Sequence, residues 1–275
     1  MRRFLLPLAV AVLATAALVP ALLPALQEGV DSTRATQSAM IDGAVAVPFG
    51  VGERLTYDVK FGPVRAGSGS MYITGVEAIR GLPSYHVQFR VTGGALFYKV
   101  NDTFDSWMDV RNLNSLRFVQ DLNEGRKERD KRFDIYPERA AYVEEGKPER
   151  ASVTQPLDDA SFLYFVRTIP LEVGKTYEFN RYFRPDRNPV KLRVLRRERV
   201  EVPAGKFNAI VVQPIIKTSG IFGENGHAEI WLSDDASRMM LQMKSQLKFG
   251  SLNLYLTGVR AGADTTPPLT AAPAR

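Results

Sequence analysis

The stretch "RLTYDVKFG", residues 54–62, decides the fold class. Leu55, Tyr57 and Val59 alternate with polar neighbours. A period of two places them on one side of a strand with one buried face. The same alternation returns in "SMYITGV" (70–76), "YHVQFRV" (85–91), "KLRVLRRERVEV" (191–202), "AIVVQPIIK" (209–217) and "SLNLYLTGV" (251–259). These segments are rich in β-branched and aromatic residues and are punctuated by Gly, Pro and Asn. The connections are short, so neighbouring strands pair antiparallel. Pro214 points to an edge position or a bulge, because it cannot donate to a ladder. One segment departs from the pattern. "LDDASFLYFVR" (157–167) offers Asp158 or Asp159 as an N-cap and then about two turns of helix, ending before Pro170. The expected fold is mainly β: a large curved antiparallel sheet or half-barrel with one short helix near 159–168.

The helix falls between two similar halves, 49–150 and 172–260. "VGERLTYDVKFGPVRAG" (51–67) and "VGKTYEFNRYFRPDRN" (173–188) both open Val-Gly and reach a tyrosine, Tyr57 or Tyr177, inside a strand. Gly81 and Gly205 stand 124 residues apart, as do the only two tryptophans, Trp107 in "NDTFDSWMDV" (101–110) and Trp231 in "HAEIWLSDD" (227–235). Anchors recurring in one order are the signature of a duplication. A duplicated sheet would place Trp107 and Trp231 at matching positions, both facing inward.

The ends read differently. Arg2 and Arg3 precede an uncharged apolar run, Phe4 to Leu26, so residues 1–26 have the layout of a signal peptide or an N-terminal anchor. Residues 27–48 read as a flexible tether, 49–260 as the β-rich domain, and the Pro- and Thr-rich 261–275 as a disordered tail. The expected location is therefore outside the cytoplasm, in the periplasm or cell envelope. The 275 residues include no cysteine, which excludes disulfides and thiolate chemistry. Lys and Arg number 36 against 30 Asp and Glu; without Arg2 and Arg3 the balance is 34 to 30, a net charge of +4. That mild excess does not argue for nucleic acid.

The landmarks "GERLTYDVKFG" (52–62), "AGSGSM" (66–71), "DTFDSW" (102–107), "LDDASFLYFVR" (157–167), "VPAGKFNAI" (202–210), "IWLSDD" (230–235) and "KFGSLNLYL" (248–256) fall in one order. Together they resemble the bacterial family known as domain of unknown function 3108, over about residue 49 to residue 258. The resemblance implies export and a β-rich fold, and it supplies no catalytic residues.

Chemistry is sparse. Two histidines, His86 and His227, lie in different strands without a second ligand at short spacing, so neither a metal site nor a catalytic base is indicated. "GSGS" (67–70) reads as a turn between strands and opens no helix, as a phosphate loop would. Paired acids such as Asp102 with Asp105, or Asp158 with Asp159, would suit glycan hydrolysis at a proper separation. Helix capping and turn formation account for them more simply, and Arg167 is placed to pair with one of them. No cofactor is indicated. The expected function is binding by a non-enzymatic exported protein, its partner a lipid or other hydrophobic envelope component. Trp107, Trp231, Tyr57 and Tyr177 are the candidate pocket lining, and Arg193, Arg197 and Arg199 the candidate contacts to anionic groups. Membrane association would run only through an uncleaved N-terminus. The alternatives are a scaffolding module that contacts envelope proteins or glycans, and a glycan hydrolase.

Overall fold

Among the described residues, fourteen strands form one antiparallel sheet built from two meanders. The computed structural model describes residues 45–95, 98–124, 127–216, 228–247 and 250–263. All belong to the unit Met40–Arg275. The signal or anchor segment, most of the tether, His227 and most of the C-terminal tail lie outside the described residues. The first meander runs β1 (Arg54–Phe61), β2 (Val64–Ile79), β3 (Leu82–Ala95), β4 (Tyr98–Asp109), β5 (Ser115–Glu124), β6 (Lys127–Tyr136), β7 (Ala141–Glu144) and β8 (Arg150–Ala151). The helix α1 (Asp159–Phe165) follows, continued by a 3-10 turn over Val166–Thr168. The second meander runs β9 (Thr176–Phe179), β10 (Val190–Val202), β11 (Gly205–Ile215), β12 (Glu229–Ser233), β13 (Met240–Leu247) and β14 (Gly250–Arg260). The two are joined where β1 pairs with β14.

Local sequence explains the pairing. Leu55, Tyr57 and Val59 are buried while their neighbours in β1 are not, as the alternation predicts. Arg80 and Gly81 link β2 to β3 with φ of 51° and 81°. That left-handed pair turns a hairpin with the twist its strands require, and glycine takes it without strain. "GSGS" is not a turn: it lies inside β2, and the turn comes earlier, at Gly62 and Pro63. Glycine serves there because β2 and β3 nearly touch. A Cβ on Gly67 would come within 1.9 Å of the Thr92 carbonyl oxygen, and one on Gly93 within 2.2 Å of that of Ala66.

The two meanders match in detail. In the first, Gly75, His86, Trp107 and Arg117 form one cross-strand row on β2 to β5. In the second, Arg196, Val211, Trp231 and Gln242 form one on β10 to β13. In both, a bulge precedes the row on its first strand, between Ile73 and Gly75 and between Val194 and Arg196. In both, a second bulge follows the tryptophan.

The sheet curls until its edges meet through the chain beyond them. Leu157, after β8, forms a parallel bridge with Tyr182, after β9. The Leu157 N–H donates to the Arg181 carbonyl and the Phe183 N–H to the Leu157 carbonyl. The Phe183 ring packs on Phe133 and Tyr142, each at 5.2 Å, so the far edge lies against β6 and β7.

Inside the curl, α1 covers part of the inner face. Every residue from Ala160 to Phe165 is buried. Asp158 is the N-cap: one oxygen accepts from the N–H groups of Ala160 and Ser161, the other from the hydroxyls of Ser106 on β4 (2.6 Å) and Ser115 on β5 (2.5 Å). The helix is thereby fixed to two strands. Arg167 pairs not with an aspartate but with Glu53, at 2.6 and 2.9 Å through its two terminal guanidinium nitrogens, and also donates to the carbonyls of Pro48 and Ser237. Glu53 was invisible to short-range spacing because 114 residues separate the pair. The assigned domain limits shift as well. Val47 is buried and Val45 donates to the Val110 carbonyl, so residues 45–48 pack on the domain and are not tether. Ala263, placed in the tail, donates to Val51. No helix among the described residues is long and apolar enough to cross a membrane.

Candidate functional site

Inward-facing residues of β1 to β6 form hydrogen-bonded rows across the sheet, and the rows differ in how well they are covered. The row Ile73, Val87, Ser106, Phe118 and Phe133 is buried throughout. Two residues along each strand, toward the β1–β2 hairpin, the row is Met71, Phe89, Phe104, Gln120 and Lys131. Here Met71 is buried, Phe89, Phe104 and Gln120 are half-buried, and Lys131 is exposed. The next row holds half-buried Val91 and Leu122 on either side of buried Asp102. At the same end, Phe61 is 42% exposed and pairs with half-buried Leu252. Rings continue from sealed to unsealed ground: Phe133 to Phe118 at 6.1 Å, Phe118 to Phe104 at 6.4 Å, Phe104 to Phe89 at 6.1 Å. Where β2 and β3 bend at Gly67 and Gly93, a shallow depression of about 420 Å³ is lined by Arg65, Ala66, Ser68 and Thr92.

At the seam between the sheet edges the wall turns cationic. The Arg184 guanidinium sits 5.0 Å over the Phe133 ring and 5.3 Å over Phe183. Lys131 lies two residues before Phe133 and shares its face. A hydrogen bond from Lys147 holds the Glu144 carboxyl below its ordinary value against the opposing effect of burial, and Lys131 and Arg184 add to this. Burial pushes Asp159 upward; its bond from the Tyr182 hydroxyl (2.9 Å) and the charges of Arg187 and Arg184 work against that.

The four aromatics expected to line one pocket do not converge. Tyr57 is fully buried on the inner face and donates to the Met240 carbonyl at 3.0 Å. Tyr177 is half-buried on β9, stacked on Phe179. Both tryptophans face outward, because their strand neighbours Ser106 and Met108, and Ile230 and Leu232, take the inner positions. Trp107 stacks on His86 at 4.2 Å and donates to Glu77 at 2.8 Å. His86 places one ring nitrogen 2.9 Å from Glu77 and the other 2.8 Å from Asp105. Burial disfavours its charge, but the two carboxylates outweigh burial and raise its pKa above the ordinary value. Trp231 donates to Glu198 at 2.6 Å and lies under Arg196 and Lys244. Each tryptophan is thus a bracket on the sheet's outer face, held by a glutamate two strands away.

The three arginines of β10 do not share a face either. The bulge after Val194 reverses the alternation, so Arg193 points outward with Arg196 while Arg197 and Arg199 take the opposite side. Arg197 pairs with Asp234 at 2.9 Å. Among the candidate acids, Asp102 and Asp105 point to opposite faces, and Asp158 is sealed beneath the helix. Burial pushes Asp158 up to about 6, against the serine and backbone hydrogen bonds that favour its charge. Among the described residues, no group of three acidic or histidine side chains could hold a metal ion. The residues overlooked in the sequence are Phe89, Phe104 and Leu122. Their alternation marked them as inward-facing, but nothing local separates an inward residue that is sealed from one that is not.

A curled antiparallel sheet with an internal helix places the protein among barrel-like β-folds. The chain belongs to the DUF3108 family of proteins of unknown function, whose profile matches residues 56–257. No curated protein matches it. A β-barrel-like DUF1849 protein from Brucella abortus shares the fold, with a TM-score of 0.54 at 12% identity over 79% of this chain and 100% of that one. Weaker likenesses are to a proposed lipoprotein of Parabacteroides distasonis (TM-score 0.36, 11% identity, 78% and 99% covered) and a proposed exported protein of Bacteroides fragilis with a YmcC-like fold (0.29, 11%, 79% and 99%).

Proposed function

We propose that this is an exported, non-enzymatic cell-envelope protein that binds a lipid or similar hydrophobic ligand against the uncovered half of its inner face. One observation carries this: Phe89 and Phe104 are half-buried on the inner face, while the neighbouring row from Ile73 to Phe133 is buried throughout. Apolar concave surface with a few polar groups at its margin is the usual character of a ligand site. Aromatic rings left partly in water are poorly satisfied, and covering them with an acyl chain gains about 25 cal/mol per Å². The apolar run Phe4 to Leu26 behind Arg2 and Arg3 supports export. A scaffolding role through sheet edges has less support, because the chain beyond each edge is bonded to the other.

The test is extraction of the purified protein with organic solvent, followed by mass spectrometry. An amphiphile in near-stoichiometric amount is expected. An empty extract, together with no saturable uptake of an added fluorescent fatty acid, would overturn the proposal.

A further inference from the structure

We propose that the ligand is an anionic amphiphile, its acyl chain on Phe89 and Phe104 and its head group held by Lys131 and Arg184. This rests on the ligand site proposed above and adds the charge and orientation of its occupant. Four features support it. The row Phe89, Phe104, Gln120, Lys131 passes from aromatic to amide to ammonium across four adjacent strands, a span of about 14 Å. Arg184 lies beyond the adjacent row, its guanidinium 5.0 Å over the Phe133 ring, and it and Lys131 both act on the Glu144 carboxyl. Its Nε is buried without a hydrogen-bond partner, a costly arrangement for a donor unless something accepts from it. Neither Lys131 nor Arg184 makes a salt bridge with the described residues.

The nearby acids are already engaged: Asp159 by Tyr182 and Gln120, Glu144 by Lys147. Arg187 donates to the Tyr182 hydroxyl and adds positive charge from behind. Two cations that make no salt bridge among the described residues, one of them an arginine beside an apolar wall, suit a carboxylate or phosphate that brings a hydrocarbon chain with it. A neutral lipid would leave the Arg184 donor unmet.

The experiment compares cis-parinaric acid with its methyl ester by fluorescence titration. The wild-type protein should bind the acid at least tenfold more tightly. Lys131→Gln and Arg184→Gln should each weaken the acid roughly tenfold, the loss of one charge-assisted contact, and leave the ester unchanged. Should a variant fail to fold, the salt dependence of the wild type decides: sodium chloride should weaken the acid and spare the ester. Equal binding of acid and ester, with no salt effect, overturns the anionic site but keeps the hydrophobic one. Binding of neither overturns both. Displacement of the bound acid by oleate or by short-chain phosphatidylglycerol then separates a fatty carboxylate from a phospholipid phosphate.

Discussion

Phe118 and Phe104 sit on adjacent strands of one sheet, their rings stacked 6.4 Å apart, and they have different fates. Phe118 is 1% exposed and packs edge-on against Phe183; Phe104 is half-buried, one row farther toward the β1–β2 hairpin. The strand pairing is continuous across this boundary, and the cover differs. On the sealed side, Asp158 and Arg167 hold the helix down through buried polar contacts, so that side serves stability. The unsealed side keeps apolar surface available, which is what a binding wall requires. Substitutions on the two sides should therefore separate stability from binding.

The largest effect is expected at Arg167. Arg167→Met leaves Glu53 buried without its partner, and urea unfolding should show a loss of about 3–5 kcal/mol. Next comes the ladder. Phe118→Ala should cost about 3–4 kcal/mol, and Phe104→Ala about 1–2 kcal/mol because less of its ring is buried. Equal losses would mean that the boundary is not real.

Titration of Asp158 ranks below these. Its carboxyl is raised to about 6 by burial, so the folded state keeps a proton that the unfolded chain has already released. Stability should then fall as pH rises from about 4 to about 6, by about 2–3 kcal/mol at 1.36 kcal/mol per unit, and level off above. Asp158→Asn retains a good N-cap and should flatten that slope in a series of urea melts.

The smallest effect concerns the two outer brackets. His86, stacked on Trp107, has a raised pKa, so its contribution to stability is present below about 6.5 and is lost as pH rises through the higher folded value. Trp231 lies under Arg196, which keeps its charge across that range. In Trp231→Phe, the remaining Trp107 emission should rise with pH as the imidazolium deprotonates. In Trp107→Phe, the emission of Trp231 should stay flat. A matching pH response in both would remove the distinction between the brackets.

Much of the fold was legible in the sequence. Alternation in β1 and β14, the Arg80-Gly81 hairpin and the Asp158 cap are local rules, and the structure follows them. The matched anchors Gly81 with Gly205 and Trp107 with Trp231 pointed to equivalent strands, and the registers agree. The facing of the tryptophans was not legible. A large aromatic residue in a strand suggests core, but here Glu77 and Glu198 satisfy each indole from outside and charged side chains cover the ring. Bulges misled in the same way: the one after Val194 carries Arg197 and Arg199 to the other side from Arg193. The candidate site was hidden for a third reason. Whether an inward phenylalanine is sealed depends on side chains far away in the sequence, such as Phe183, which packs on Phe118 and Phe133.

The most direct test of the account is a titration of the folded protein with 1-N-phenylnaphthylamine, an apolar fluorophore, in wild type, Phe104→Asp and Asn101→Asp. Saturable binding near one probe per chain, lost in Phe104→Asp while the exposed, outward-facing Asn101→Asp retains it, is the predicted result. Absence of saturable binding by the folded wild type, or equal loss in both variants at equal stability, would contradict it.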